Sequence, residues 1–264
     1  MKIKLIPYAG LGNRMRVIAS VYKYASMNSC ELTIYWNKEK GLNASYYKLF
    51  KPVKGLNIKD ARLFDFFVNN YPCVYNMFFP RIVDILSRRK SFYAIGINKL
   101  DEITQNNESL NVSTYSQQGI LYPLSELFVP TDEIMEIINR IKSRFGKKNI
   151  GCHIRRSDNK QAQQCSTLEK FVKKFDELFE CEPDTKIFLC TDDILVKNEI
   201  IKKYGKERII TYDSTLNRHS FEGIRDAVVE LYTLAYTDKI LGSYYSSYTE
   251  MASELFGTEL EVIK

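Results

Sequence analysis

The start of the chain follows the order strand, glycine loop, helix, strand, and this order restricts the fold more than any other feature. The apolar run at 2–8 predicts a β-strand, and a tight loop with the sequence A-G-L-G-N-R follows at 9–14. Apolar residues at helical spacing predict a helix over about 13–28, and Glu31–Trp36 predicts a second strand. Because a crossover helix joins strands of the same direction, this order is typical of a doubly wound parallel sheet.

Strands and helices alternate again from residue 130 onward. A helix opens at Pro130-Thr131-Asp132, where we place a domain boundary, and the capping boxes Ser166–Glu169 and Ser247–Glu250 each predict the start of another helix. Further helices are predicted at 194–204 and about 220–236. Buried parallel strands are predicted from apolar runs at 149–154, 186–191, 208–212 and 238–242.

The segment at 37–130 gives the weakest signals. Aromatic patches at 63–67 and 77–80 predict a cover over the first sheet, and the polar stretch at 98–118 predicts a loop. The segment at 82–90 is apolar at first and basic at its end. It predicts a core-packed helix with a solvated charged end, and an amphipathic helix at a membrane surface is the alternative.

The composition limits the classes of partner and the compartment. A net charge of +6 is too small to indicate a nucleic-acid partner, but it is compatible with a pocket for an acidic small molecule. The six cysteines form neither a C-x-x-C motif nor a zinc-like cluster with the two histidines. The N-terminus lacks a signal-peptide pattern, and no stretch approaches the roughly 20 apolar residues of a membrane span. We therefore expect a cytoplasmic protein with at most peripheral membrane contact.

The loop at 9–14 departs from the dinucleotide-binding fingerprint. The pattern G-x-G-x-x-G needs a third glycine where this chain has Met15, and the second strand ends at Trp36-Asn37 without an acidic residue for a ribose. A nicotinamide or flavin site is therefore disfavoured. The loop still places backbone N–H groups and Arg14 at a helix N-terminus, which favours an anion or sugar hydroxyls. The alternative is a turn whose glycines relieve strain.

The segment Asn149–Asp158 joins a buried strand to a charged loop. Arg155 offers the planar fork of donors that binds a phosphate or carboxylate through two hydrogen bonds. His153 points to the same side of the strand, because side chains alternate in extended chain. The alternative is an interior histidine beside a surface ion pair of Arg156 with Asp158.

Two further segments place polar groups at the same edge of the predicted second sheet. Asp192-Asp193 follows a buried strand, at the carboxyl edge where open α/β sheets bind ligands. This pair suits a metal, although capping of the following helix is the commoner role. The run Ser243–Glu250 starts a helix directly after a strand, so hydroxyls and free N–H groups converge there. Together with Arg155, this run predicts a diphosphate-binding site.

Three segments, in this order, resemble the fucosyltransferase superfamily that includes core α1,6-, protein O- and plant xyloglucan fucosyltransferases. Residues 10–14 (G-L-G-N-R) resemble the G-x-G-N loop of the plant and protein O- branches. Residues 153–158 (H-I-R-R-S-D) are similar to the H-x-R-R-x-D segment of the α1,6 branch. The run from Ala227 to Ala252 follows the family's last helix-strand-helix. The resemblance covers about 150–260 well and the first 30 residues moderately.

The resemblance implies a GT-B architecture, in which two Rossmann-like, doubly wound domains face a cleft. The domain at 1–130 would lie on the acceptor side, and the domain at 131–264 would bind the nucleotide sugar. The implied reaction is an inverting transfer from GDP-fucose to a glycan acceptor without a metal or other cofactor. The chain contains no D-x-D triplet, which agrees with a metal-independent reaction.

The resemblance also implies roles for individual residues. Arg155 would hold the diphosphate and His153 the nucleotide, while Glu230 occupies the position of the family's guanine-binding aspartate. The implied catalytic residues are Arg155 and Asp158; the donor-binding residues are His153, Arg156, Asp192, Glu230, Ser243, Ser246 and Ser247; and the N-terminal cleft loop comprises Gly10, Gly12, Asn13 and Arg14.

One position departs from the family pattern. Where the α1,6 branch has a glutamate beyond the arginine pair, this chain has Gln161, Gln163 and Gln164, and glutamine is no useful proton acceptor. Asp158 is then the nearest carboxylate, and late deprotonation of the acceptor in a dissociative transition state is the alternative. Two functions compete with this one. The first is a transferase for another nucleotide sugar, which Glu230 favours, and the second is a catalytically silent module that binds a nucleotide or glycan.

Overall fold

A computed structural model describes residues 1–38, 41–60, 90–93, 96, 98–105, 107–156, 160–217 and 219–264. The chain divides into two compact units: unit 1 comprises Met1–Thr131 and Arg218–Ile224, and unit 2 comprises Asp132–Asn217 and Arg225–Lys264. The division into domains at 1–130 and 131–264 is kept as a proposal. The predicted aromatic patches at 63–67 and 77–80, and the basic segment at 82–90 except its last residue, lie outside the described residues.

Unit 1 is built on a parallel sheet with the strand order β3-β2-β1-β5-β4. Its described elements are β1 (Lys2–Pro7), α1 (Leu11–Met27), β2 (Glu31–Trp36), α2 (Tyr46–Leu49), β3 (Ile58–Asp60), β4 (Lys90–Tyr93), α3 (Leu100–Thr104), β5 (Ser109–Thr114) and α4 (Leu124–Leu127). The predicted strand-helix-strand start is confirmed, because β1 and β2 pair in parallel and α1 connects them.

The polar stretch at 98–118, predicted as a loop, contains α3 and β5 instead. β5 pairs with the central strand β1 on one side and with β4 on the other. Leu110 and Val112 are buried on one face, and Ser113 and Thr114 are buried as well. The prediction was wrong because a strand with buried hydroxyls has the composition of a loop.

Unit 2 is built on a second parallel sheet, with the order β10-β9-β6-β7-β8. Its described elements are α5 (Asp132–Lys142), β6 (Asn149–Ile154), α6 (Lys160–Cys165), α7 (Leu168–Cys181), β7 (Lys186–Thr191), α8 (Ile194–Tyr204), β8 (Ile209–Thr211), α9 (Phe221–Ala235, whose first residues belong to unit 1), β9 (Lys239–Ser243), α10 (Ser247–Phe256) and β10 (Glu259–Ile263). The four predicted strands are confirmed, whereas β10 was not predicted.

The core of unit 2 lies between its sheet and the apolar face of α7. Phe171, Phe175 and Phe179 of this helix pack with Ile150, Cys152 and Ile154 of the central strand β6. Cys152 and Cys190 are buried free thiols, as predicted, and burial raises the pKa of both. None of the helices in the described part of the chain combines the length and apolar composition that a bilayer crossing requires.

A glycine in β9 allows α10 to approach the sheet closely. A Cβ atom at Gly242 would lie 2.7 Å from Thr249 Oγ1 and 3.0 Å from Thr249 Cβ. Any larger residue would therefore clash with the first turns of α10. The absence of a side chain at Gly242 sets the position of this helix start relative to the strand ends.

Candidate functional site

The carboxyl ends of three neighbouring strands, β9, β6 and β7, meet at the two arginines that follow β6. Arg155 N donates a hydrogen bond to Ser243 Oγ over 3.0 Å, and Arg156 N donates to Asp192 Oδ1 over 2.6 Å. Ser243 Oγ also donates to His153 O over 3.3 Å. We refer to Ser243 and Asp192 as the backbone clamp, because these side chains from the flanking strands fix the main chain of both arginines.

Gln163 holds Arg156 from a different direction. Gln163 Nε2 donates to Arg156 O, and Arg156 Nη1 donates to Gln163 O over 3.4 Å. Arg156 Nη2 is buried and makes no hydrogen bond to a described residue. Because a buried guanidinium nitrogen without an acceptor is costly, this atom suits an anionic partner. Gln163, which replaces a glutamate of the family pattern, therefore holds Arg156 in place.

His153 lies against the start of α10. His153 Nδ1 is 3.4 Å from Ser246 Oγ, and the centroids of the His153 and Tyr248 rings are 4.9 Å apart. The Tyr248 hydroxyl donates to Ala227 O over 2.6 Å, which fixes this ring. His153 is half-buried rather than part of the core. The contact with Ser246 joins the end of β6 to the N-terminus of α10.

The helix α10 has Ser246 as its N-cap, one residue before the cap that the sequence predicts. Ser246 makes no capping hydrogen bond through its side chain, which faces His153, and the residue is only 2% exposed. Ser247 is exposed in the first turn. The first N–H groups of a helix have no carbonyl partner within it, so this end attracts anions.

The aspartate pair after β7 divides into two roles. Asp192 belongs to the backbone clamp, whereas Asp193 is the N-cap of α8. Asp193 Oδ1 accepts from Leu195 N over 2.8 Å and from Val196 N over 3.4 Å. Within the described part of the chain, no three His, Cys, Asp or Glu side chains are grouped as metal ligands. Asp158, the predicted second catalytic residue, lies outside the described residues.

Glu230 lies on α9 and is half-buried. Ser214 Oγ donates to Glu230 Oε1 over 2.9 Å. Burial raises the pKa of Glu230 to about 7, although the hydrogen bond from Ser214 and the charge of Lys197 oppose the shift. This carboxyl group therefore changes its charge near neutral pH, and perturbed groups of this kind cluster at functional sites.

Asp226 lies one helical turn before Glu230 and is almost fully buried. Its Oδ1 accepts from the Tyr212 hydroxyl over 2.9 Å and from Arg225 Nη2 over 2.8 Å, and its Oδ2 accepts from Thr215 N over 2.8 Å. These bonds fix the loop that follows β8. Asp226 was not among the predicted site residues, although its spacing of four residues from Glu230 places both carboxylates on one helix face.

Arg14 holds the glycine loop of unit 1 together from the inside. The residue is fully buried, and its guanidinium carbon is 5.1 Å from the centre of the Trp36 ring. Arg14 Nε donates to Ala9 O over 2.9 Å, and Arg14 Nη1 donates to Asn37 O over 2.5 Å. The side chain that was predicted to face a cleft thus lies inside unit 1 and joins the ends of β1 and β2.

The other predicted residues of this loop lie at the start of α1. Gly10 is the exposed N-cap, and Gly12 and Asn13 are half-buried in the first turn. Ala9, just before them, has a φ of 70°. This left-handed conformation is uncommon for a residue other than glycine, and such strained positions cluster at functional loops. The bond from Arg14 to the Ala9 carbonyl helps to maintain it.

Solved structures of three fucosyltransferases are similar to this chain. An arginine-to-lysine mutant of FUT1 from Arabidopsis thaliana, in complex with GDP, has a TM-score of 0.66 at 14% identity, covering 99% of this chain and 69% of that chain. NodZ α1,6-fucosyltransferase from Bradyrhizobium, soaked with GDP-fucose, has a TM-score of 0.63 at 18% identity, with coverages of 96% and 92%. POFUT1 in complex with GDP has a TM-score of 0.62 at 12% identity, with coverages of 99% and 98%.

The similarity to these solved structures shows which fold the chain adopts. The predicted class, α/β of the GT-B type with two Rossmann-like parallel sheets, is confirmed by the two sheets and by these neighbours. The resemblance that the three sequence segments indicated therefore holds for the architecture of the described chain. No protein-family model and no curated protein matches it.

Proposed function

We propose that this chain is a glycosyltransferase that transfers fucose from GDP-fucose to a glycan or oligosaccharide acceptor. The main observation behind the proposal is a chain of polar contacts at the carboxyl edge of the unit 2 sheet. It runs from Arg155 to Ser243, from Ser243 to His153 and from His153 to Ser246. A guanidinium fork, hydroxyls and a helix N-terminus all favour an anion, which supports binding of a diphosphate. The similar structures, which hold GDP or GDP-fucose, support GDP-fucose as the donor.

In the proposed reaction, the acceptor oxygen attacks the anomeric carbon of fucose while the bond to the β-phosphate oxygen breaks on the opposite face. The configuration at that carbon is therefore inverted. Negative charge grows on the β-phosphate, and we assign its stabilisation to the Arg155 guanidinium and the first N–H groups of α10. A fixed donor aimed at a developing anion is worth about 3–4 kcal/mol, and we propose that these donors take the place of a metal or other cofactor.

The remaining donor contacts follow from the same edge of the sheet. We assign Ser246, Ser247 and Arg156 to the phosphates and His153 to the nucleotide. Glu230 would accept hydrogen bonds from the N–H groups of guanine, which an ionised carboxylate does with both oxygens. The backbone clamp would hold the two arginines in place for these contacts.

The acceptor proton has two proposed routes. In the first, Asp158 takes it, because this residue is the nearest carboxylate to the arginine pair in the sequence. In the second, the acceptor gives its proton to water late, after the sugar–phosphate bond has largely broken. We further propose that 1–130, with the loop at Gly10–Arg14, forms the acceptor side and that the reaction belongs to carbohydrate biosynthesis in the cytoplasm.

The test is release of GDP from GDP-fucose in the presence of candidate glycan acceptors. Arg155→Ala should lower kcat by about 10²–10³-fold, as expected when one donor to the developing anion is removed. Arg144→Ala removes an exposed arginine of the same unit and should leave turnover unchanged. If Arg155→Ala keeps its rate within about tenfold, a barrier change near 1.4 kcal/mol, the diphosphate role of Arg155 is wrong.

Two observations favour other functions on the same fold. Glu230 stands where the resembling family has an aspartate, which favours a different nucleotide sugar. Thermal unfolding with GDP, UDP, ADP and CMP separates these donors, because the bound nucleotide raises Tm by mass action. Gln163 braces Arg156 and supplies no base, which favours a silent binding module. GDP-fucose binding without turnover on any acceptor would support that alternative.

A further inference from the structure

Ser166 is a fully buried residue that joins the last strand of unit 2 to the start of α10. Its hydroxyl donates to Ile263 O over 2.5 Å and accepts from Tyr244 N over 2.7 Å. These partners lie 97 and 78 residues away in the chain. The sequence predicts Ser166 as a helix cap, but the N-cap of α7 is Thr167. The hydroxyl of Ser166 instead joins three distant segments.

The segment that Ser166 holds is the turn between β9 and α10. It begins after Ser243, a residue of the backbone clamp, and ends at Ser246, the N-cap of α10. Tyr245, within it, has a φ of 57°, which is unfavourable for a residue other than glycine. A turn in this conformation persists only when its surroundings hold it. Ser166 supplies such a hold at Tyr244, and the Lys264 ammonium lies 5.2 Å from the centre of the Tyr244 ring.

The position of this turn decides where the proposed phosphate-binding groups lie. Ser246 Oγ faces His153 Nδ1, and the backbone of Ser246 leads directly into the first turn of α10. If the Tyr244 N–H loses its acceptor, the turn is free to relax. Ser246 and the first N–H groups of α10 then move with it. The buried hydroxyl thus controls donor-binding groups that it does not touch.

We propose that Ser166 is a positioning residue for the nucleotide-sugar donor. Its hydroxyl holds the turn at 244–246 in the conformation that presents Ser246 and the N–H groups of α10 to the diphosphate. The identity of the ligand rests on the proposed function, whereas the hold on the turn does not. The end of β10 thereby becomes part of the framework of the donor site.

Ser166→Ala tests this proposal against two matched serines. Ser20 is also fully buried, and its hydroxyl donates to Val17 O and accepts from Gln118 N, but it lies in unit 1. Ser253 donates to Thr258 O over 2.6 Å near the other end of α10. Ser166→Ala and Ser20→Ala should lower Tm by similar amounts, because each removes a fully buried hydroxyl with two hydrogen bonds. Ser253→Ala removes a half-buried hydroxyl with one bond and should lower Tm less. Only Ser166→Ala should raise the Kd of GDP, by about tenfold, with a rise in the donor KM larger than the fall in kcat.

Two further measurements keep the proposal falsifiable if Ser166→Ala folds poorly. Ser166→Thr keeps the hydroxyl and should restore the affinity for GDP. In the wild type, GDP should slow hydrogen exchange at the amides of 244–246, and the Tyr244 amide should already be protected without GDP. Unchanged GDP affinity in Ser166→Ala, an equal loss in Ser20→Ala or Ser253→Ala, or a rapidly exchanging Tyr244 amide would overturn it.

The outcomes also separate this inference from the proposed function. A wild type that does not bind GDP contradicts the proposed function. A wild type that binds GDP as tightly as Ser166→Ala does contradicts only the positioning role.

Discussion

An arginine follows the central strand of each sheet, but the two units use it in opposite ways. In unit 1, the side chain of Arg14 donates to backbone carbonyls and is fully buried. In unit 2, the direction is reversed: the backbone N–H groups of Arg155 and Arg156 donate to the side chains of Ser243 and Asp192. Unit 1 therefore uses guanidinium donors to hold its own backbone. The backbone clamp of unit 2 instead holds Arg155 and Arg156 by their main-chain N–H groups, and Arg156 Nη1 adds a bond to Gln163 O.

This difference shows why an arginine at a carboxyl strand end is not by itself a ligand-binding residue. Both arginines belong to segments that resemble the same family, and both place positive charge at the edge where α/β sheets bind ligands. The direction of the surrounding hydrogen bonds separates them. Arg14 acts as a strut within the loop, and Arg155 is the candidate for contact with an anion.

The largest effect is expected from removing the strut. Arg14→Ala leaves two backbone carbonyls without a donor and opens a cavity beside Trp36, so the free energy of unfolding should fall by about 3 kcal/mol. Urea denaturation measures this change. Arg155→Ala should lower the free energy of unfolding less, because the Ser243 hydroxyl still accepts from the backbone N–H of residue 155 in that variant. Equal stability losses in both variants would contradict the comparison.

A smaller effect should follow from opening the backbone clamp. Asp192→Ala removes the acceptor of Arg156 N–H and should raise the Kd of GDP about tenfold, while Asp192→Asn keeps an acceptor oxygen and should raise it less than about threefold. Titration calorimetry provides the affinities. Asp193→Ala is the matched control: it removes a helix cap worth about 1 kcal/mol of stability and should leave GDP binding unchanged. A threefold or larger loss in this control would mean that the effect is not specific to the clamp.

The smallest effect concerns the charge of Glu230. Because burial raises its pKa to about 7, the carboxyl group is largely protonated below that pH, and binding of guanine N–H groups requires the ionised form. The affinity for GDP should therefore rise with pH and be about fourfold weaker at pH 6.5 than at pH 8. Glu230→Gln should lose this part of the dependence. An unchanged pH profile in that variant would exclude Glu230 from base recognition.

The same pKa shift has a consequence for the ligand-free protein. A carboxyl group with a raised pKa favours the folded state while it is protonated, so its contribution to stability is complete below its ordinary range near 4.5 and is lost as the pH rises through about 7. Thermal unfolding at pH 6 and pH 8 should therefore show a larger loss of Tm in the wild type than in Glu230→Gln.

The alternation of apolar runs and helical periodicity was sufficient to predict β1 and β2 of unit 1 and four strands of unit 2, because parallel strands buried on two faces leave a strong pattern. The strands β3 and β4 lie in the segment with the weakest signals and were not predicted. β5 escaped this reasoning, since its buried hydroxyls resemble a loop. The edge strand β10 was also missed, because the short run at Glu259–Ile263 follows directly on the end of α10. The periodic pattern of apolar residues indicates which positions are buried. This pattern is weak where the buried groups are polar or where the strand is short and half-exposed.

The sequence was sufficient to predict which residues of the candidate site lie at neighbouring strand ends. It was not sufficient to predict which of them form hydrogen bonds with one another. Carboxyl ends of parallel strands meet at one edge, so the sequence was sufficient to group His153, Arg155, Asp192 and Ser243. Which side chain accepts from which N–H depends on the register between β6 and its two neighbours. Gln163 and Ser166 were misread for the same reason, because their partners are set by packing in three dimensions.

Because Gly242 has no side chain, a substitution at this position would change where α10 begins relative to the sheet. With the Thr249 hydroxyl only 2.7 Å from where a Cβ atom would sit, one added carbon acts as a wedge under the start of α10. The added carbon would push the first N–H groups of α10 away from a bound anion. Their electrostatic attraction for the anion would weaken, because it falls with distance. A single uncharged methyl group at this position would thus weaken the attraction of the α10 N-terminus for an anion.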